Sequence, residues 1–161
     1  MANPIIEQLF RQNLWANLAI LDVLEPLGDR AREVVVEGIF ADAYTTMVHV
    51  IGSETGYLAR IRQAGDPIPW ERGEQPDWER LRSVATETGT RYMQLARDLE
   101  GDPIQRGEYR GHPYEMPTSL LLIQSYNHGV DHRSQVKTAL TVHGIAFPEL
   151  DGWTWDESTA R

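Results

Sequence analysis

Two histidines, His128 and His132, stand four residues apart in the stretch Asn127-His128-Gly129-Val130-Asp131-His132-Arg133-Ser134-Gln135. On a helix this spacing puts both rings on one face, about 40° apart and one turn along the axis, close enough for both to hold one metal ion. A first-row divalent ion needs more than two protein ligands. The third must come from elsewhere in the chain, and His49, in a separate helical segment, is the best candidate. An i,i+4 histidine pair is not rare by itself, so its surroundings must decide what it means. The chain has no cysteine, which excludes disulfides, iron–sulfur clusters, zinc–thiolate sites and a cysteine nucleophile. Any metal here is held by nitrogen and oxygen.

The helix that carries the pair is expected to be capped by Thr118 or Ser119 and to run to about His143 and Gly144. Leu120, Leu121, Leu122, Ile123, Tyr126, Val130, Val136, Ala139, Leu140 and Val142 cover most of its circumference, which predicts a central, largely buried rod. Gln124, His128, His132 and Gln135 form a polar stripe along it, at offsets of four, four and three. Buried polar groups without partners cost roughly 1–3 kcal/mol each, so a metal or a wet cavity would account for the stripe. Gln135, about 20° around the helix from His128 and one turn past the pair, is placed to bond a ligand or a bound water. Arg133, about 140° from His128, is expected to pair with a carboxylate or lie at an interface. Asn127 and Asp131 are candidates to accept hydrogen bonds from imidazole N–H groups. His143 lies roughly 16 Å beyond His132 and reads as a helix-end residue, and His112 as a solvated turn residue.

Three further helices frame this one. Asn3-Pro4 opens the first, which Pro26 and Gly28 close, with Ile6, Leu9, Phe10, Leu14, Leu18, Leu21 and Leu24 as its buried face. Asp42 is expected to cap the second, which runs to about Gln63 before Gly65-Asp66-Pro67, with Tyr44, Val48, Ile51, Thr55 and Leu58 as its core stripe. His49 shares an adjacent face with Thr45, Gly52, Ser53 and Gly56. The two glycines either keep space open beside His49 or permit close helix packing. Pro67 to Pro76 reads as a loop. From Asp77, the spacing of Trp78, Leu81, Ala85, Thr88, Tyr92, Leu95 and Leu99 predicts a third helix that stops at Gly101 and suits a bundle. Ile104 to Pro117 reads as a short hairpin ahead of the fourth helix. Arg30 to Glu37 and the tail from Ile145 carry no clear period, and the tail's Trp153 and Trp155 are expected to pack on the bundle or on a second subunit.

With 161 residues, 41% of them hydrophobic, the chain suits one folded domain over residues 1–161. A formal net charge of −9 predicts repulsion from nucleic acid and from anionic membranes. The N-terminus lacks the features of a secretory signal and no apolar run is long enough to span a bilayer, so a cytoplasmic protein is expected. There is no Glu-x-x-His pair for a di-iron site, no His-Glu-x-x-His motif, no Gly-x-Ser-x-Gly elbow and no phosphate-binding loop. What remains is a three-histidine, open site on an all-α bundle. Zinc, nickel and iron(II) all suit it.

The segment Phe40 to Val50, with His49, and the later His128-Gly129-Val130-Asp131-His132-Arg133-Ser134-Gln135-Val136 resemble the DinB/YfiT-like family of metal-dependent proteins. The second stretch carries the family's His-x-x-x-His-Arg-x-Gln pattern, and the resemblance covers about residues 5 to 150. It implies an up-down-down-up four-helix bundle, often a homodimer, with a divalent metal on His49, His128 and His132. The segment Asp151 to Trp155 departs from the tail expected there. Some relatives are thiol-dependent S-transferases or isomerases, so two enzyme readings follow, a hydrolase activating water and a transferase using a low-molecular-weight thiol. A transferase would need groups for the thiol's polar end, for which Arg60, Arg62 and Arg91 are candidates. The alternative from another class is a non-catalytic, stress-associated metal-binding bundle protein.

Overall fold

The computed structural model describes residues 4–62, 70 and 73–159. The chain is mostly helical, with one small two-stranded sheet. Helix α1 spans Pro4–Leu24, α2 Ala43–Arg62, α3 Trp78–Asp98, α4 Thr118–Val142 and α5 Gly152–Thr159, with strands β1 (Ile104–Tyr109) and β2 (His112–Pro117) between α3 and α4. Helix α1 packs chiefly on α3 and α2 on α4, while α2–α3 and α1–α4 contacts join the two pairs. The end expected for the second helix, at Gln63 to Pro67, lies outside the described residues.

Local chemistry explains most of these boundaries. Asp42 accepts the Thr45 N–H at 2.8 Å and starts α2, and Asp77 does the same for Arg80 at the start of α3. Helix α4 differs from expectation. Its first residue is Thr118, but the cap is Asp102, whose carboxylate accepts both the Ser119 N–H and the Ser119 hydroxyl at 2.8 and 2.7 Å. The Thr118 hydroxyl is instead spent on the Pro103 carbonyl, tying α4 to the base of the hairpin. Arg110 and Gly111, both with positive φ (54° and 80°), make a two-residue turn whose twist suits the flanking strands. The segment after α1 winds as a 3₁₀ stretch, Glu25–Arg32, bent at Gly28. The tail forms α5, because Asp151 caps it through Thr154 and Trp155 buries against the body.

Two apolar clusters fill the interior. One gathers Ile20, Leu24, Met47, Ile51, Leu81 and Leu140; the other Phe10, Leu58, Tyr92, Leu95 and Leu122, with Phe10 and Tyr92 stacked at 4.1 Å. A buried polar layer joins the helices: Asn13 and Asn17 from α1, Glu54 from α2, Ser125 and Arg133 from α4, and the Tyr92 hydroxyl of α3, which is hydrogen-bonded to Ser125 and to the Glu54 carbonyl. This polar layer modifies the expected face of α1, of which Phe10, Leu21 and Leu24 are buried as expected. Leu9 is 40% exposed while Asn13 and Asn17 are buried, since Glu54 gives their amides a buried partner. Helix α4 is likewise less enclosed than its composition suggests. Leu121, Leu122, Ser125, Gly129, Arg133, Val136, Ala139 and Leu140 face inward, but Leu120, Ile123, Val130 and Val142 lie open to solvent.

Candidate metal centre

Helices α2 and α4 run antiparallel, which follows from their cross-contacts: His49 meets His128 and His132, and further along Tyr57 meets Gln124. The Nε2 atoms of His49 and His128 are 3.0 Å apart, and the ring centroids of His128 and His132 are 4.4 Å apart. One ligand nitrogen from each of the three rings lies within 4.8 Å of the other two. For comparison, two imidazole nitrogens each about 2.05 Å from a tetrahedral ion sit roughly 3.3 Å apart. The three half-buried rings therefore fit a common ion with small adjustments, and among the described residues they are the one cluster of its kind.

Aromatic packing orients the rings. Phe40, from the loop before α2, stacks on His49 at 4.3 Å and meets His132 edge-on at 5.0 Å, while Tyr57 meets His128 edge-on at 5.8 Å. Gln135 does not point at the rings. Its side-chain carbonyl accepts the Phe40 N–H at 2.9 Å and its amide donates to Asp131 at 3.2 Å, so Gln135 pins the loop whose phenyl ring covers the site. The expectation that Asn127 and Asp131 accept from imidazole N–H groups is not met. The Nδ1 atoms of His128 and His132 are buried without any hydrogen-bond partner, and packing takes the orienting role that a carboxylate often has.

Burial, and then repulsion from His132 and His49, pushes the His128 imidazole down to about 4; burial and then His132 also lower His49. His128 thus stays neutral, as a ligand must be, well below neutral pH, and His49 gives up its proton more readily than an ordinary histidine. The consequence for the metal-free protein has a definite sign. The unfolded chain takes up a proton on His128 near its ordinary value of 6.5, while the folded chain resists until about 4. Stability from this group is complete above about pH 6.5 and is lost as the pH falls toward 4. The melting temperature of the metal-free protein is expected to fall across that window more steeply than that of a His128→Gln variant, and equal slopes would count against the placement.

The remaining candidates fall elsewhere. His112 is exposed at the start of β2, and His143 follows α4 and donates from its ring to the Val35 carbonyl at 3.0 Å. Arg91 pairs with Glu87 within α3, and the side chain of Arg62 lies outside the described residues. Gly52 is a close-packing position, since a Cβ there would meet the Trp70 indole at 3.0 Å, whereas among the described residues only Arg60 approaches Gly56. Arg133 does answer a carboxylate, through a relay. Its guanidinium donates to Asn17 at 2.7 Å, and Asn17 donates to both Glu54 oxygens.

His128 and His132, the glycine between them and the following arginine thus share one short stretch of α4 with two environments, imidazoles on one side and a buried ionic layer on the other. The chain matches the DinB family over residues 1–160. It belongs to that family. No curated protein and no solved structure matched the chain. Phe40, Tyr57 and Glu54 are the site residues that spacing arguments missed. For Glu54 there was a signal, a lone acid on the apolar face of α2 between Ile51 and Leu58.

Proposed function

We propose that this DinB-family protein is a metal-dependent enzyme on an up-down-down-up four-helix bundle, in which His49, His128 and His132 hold one divalent ion, zinc, nickel or iron(II). The observation that carries the reading is the convergence of three imidazoles whose half-buried faces look into one space. A bound ion supplies Lewis acidity, polarising a substrate or lowering the pKa of a coordinated water or thiol. The chain's own residues do the rest. The low proton affinity of His128 and His49 keeps their nitrogens available, Phe40 shields one flank from bulk water, and Gln135 holds Phe40 in place.

The two chemistries in view are hydrolysis and transfer to a low-molecular-weight thiol. They separate in one assay. With a panel of electrophiles and metal-loaded protein, turnover only when a small thiol is supplied identifies a transferase, and thiol-independent turnover identifies a hydrolase. Metal-dependent stabilisation with no turnover of any panel member supports the non-catalytic, stress-associated alternative.

The surface supports the remaining expectations. A net charge of −9 disfavours nucleic acid, and no helix among the described residues is long and apolar enough to cross a membrane. Ile5, Leu9, Leu120, Ile123, Val130 and Trp153 leave much apolar side chain exposed on α1, α4 and α5, which suits a homodimer of a single-domain protomer.

A further inference from the structure

We propose that the groove between α2 and α4 ends in an anion clamp built from Arg60, Arg110 and Tyr109, so that the substrate carries a carboxylate or phosphate group at the end remote from the metal. The inference rests on the enzymatic reading above and deepens it by naming a substrate class.

The face of α2 beside the histidines has a direction. On α2, His49, Ser53, Gly56 and Arg60 follow one another at offsets of four, three and four, one helical face leading from the metal centre toward the hairpin. Among the described residues nothing but the Arg60 guanidinium, at 3.6 Å, would meet a Cβ on Gly56, midway along this face. Tyr57 flanks the path, and its hydroxyl receives a long hydrogen bond from Gln124 of α4 at 3.4 Å.

Two cations converge at its far end. The Arg60 guanidinium lies 4.1 Å from the centre of the Tyr109 ring and 5.5 Å from that of Tyr57, and Arg110 lies 5.2 Å from Tyr109. Neither arginine has a carboxylate partner among the described residues. In a chain of net charge −9, whose other surface arginines are mostly tied to acids, two such cations on one tyrosine form a local positive pole. Like charges brought together cost free energy unless a counter-charge joins them. The guanidinium carbons lie close to the tyrosine rings, and a guanidinium resting on an aromatic face can still take a carboxylate or phosphate bidentately through its N–H edge.

The spacing sets the substrate's reach. Since Arg60 is 5.5 Å from the Tyr57 ring and Tyr57 is 5.8 Å from His128, the guanidinium is within about 11 Å of the metal-ligating ring. An elongated small molecule can therefore touch both ends, with its reacting group at the metal and its anion in the clamp.

Two measurements test this. On metal-free protein, the side-chain N–H signals of Arg60 and Arg110 are followed by NMR while acetate or inorganic phosphate is added. Saturable shifts at both arginines are expected, the stronger response telling carboxylate from phosphate, and no shift with either anion overturns the clamp whatever the metal does. On zinc-loaded protein, calorimetry compares alkyl monohydroxamates of increasing length that end in a carboxylate or a hydroxyl. The carboxylates are expected to gain about tenfold in affinity once the chain is long enough to reach the clamp, in line with a charge-assisted hydrogen bond. Arg60→Gln with Arg110→Gln should erase that gain while metal content and the affinity of the hydroxyl series stay as they were. A gain that is absent, independent of length or retained in the double variant contradicts the proposal. Failure of every hydroxamate to bind would instead count against the metal reading, which the first measurement does not use.

Discussion

Arg133→Met is expected to destabilise the fold by about 3–5 kcal/mol, although methionine fills much of the same volume. Arg133 is 3% exposed and Glu54 1%, and they are joined through Asn17, with Asn13 also donating to Glu54 at 2.8 Å. Burial raises the Glu54 carboxyl above its ordinary range even though Arg133 and the two amides pull it down. Removing the cation leaves a buried acid with only amide donors, which is the source of the loss. Glu54→Gln in the same chain should return at least about 1 kcal/mol, because the charge is gone while an acceptor for the asparagines remains. The new amide can also donate to Asn13 Oδ1, which is buried without a partner. Urea unfolding of the wild type, both single variants and the double variant measures the coupling, and simple additivity would contradict the relay.

The same layer gives Gly129 its role. A Cβ there would sit 2.8 Å from the Arg133 guanidinium and 3.1 Å from Asn13 Oδ1, so the glycine makes room for the cation between the two histidines' turns. The helical cost of that glycine, of order 1 kcal/mol, is offset by the ionic layer it admits.

The second large effect concerns metal affinity. Addition of zinc at 100 times its dissociation constant is expected to stabilise the wild type by about 2.7 kcal/mol. His128→Ala should abolish that shift at the same zinc concentration, because loss of a direct ligand exceeds the roughly 10–100-fold weakening that follows loss of an outer partner. His128 lies against both His49 and His132. Gln135→Ala should weaken binding far less, since it acts through Phe40. Thermal melts with and without zinc check both, and an unchanged zinc response in His128→Ala would exclude this histidine as a ligand.

The histidine pair was legible because i,i+4 spacing on a helix fixes direction without knowledge of the tertiary contacts, and His49 because a metal needs a third ligand that the pair's own helix does not supply. The helices themselves were legible for the same reason, from capping residues and period. The rotation of α1 was not. Hydrophobic periodicity assigns leucine inward and asparagine outward, and it has no way to see that Glu54, on another helix, makes Asn13 and Asn17 the better buried pair. The openness of Leu120, Ile123 and Val130 was hidden for a related reason, since composition counts apolar residues and not the neighbours available to cover them. The Gln135 contact with Phe40 spans 95 positions in the chain, and local spacing could only place its side chain on the histidine side of α4. Helix α5 is eight residues long and depends on Trp155 packing, so its own period is too short to read.

The central claim is that His49, His128 and His132 share one ion. Anomalous diffraction at the absorption edges of zinc, nickel and iron, from crystals of protein purified without chelator, tests it most directly. The account predicts one peak per chain, about 2.0–2.2 Å from a nitrogen of each of the three rings, with at least one coordination position left to water or substrate. An ion bound elsewhere, or the three rings closed on one another with no ion after zinc is supplied, would contradict it.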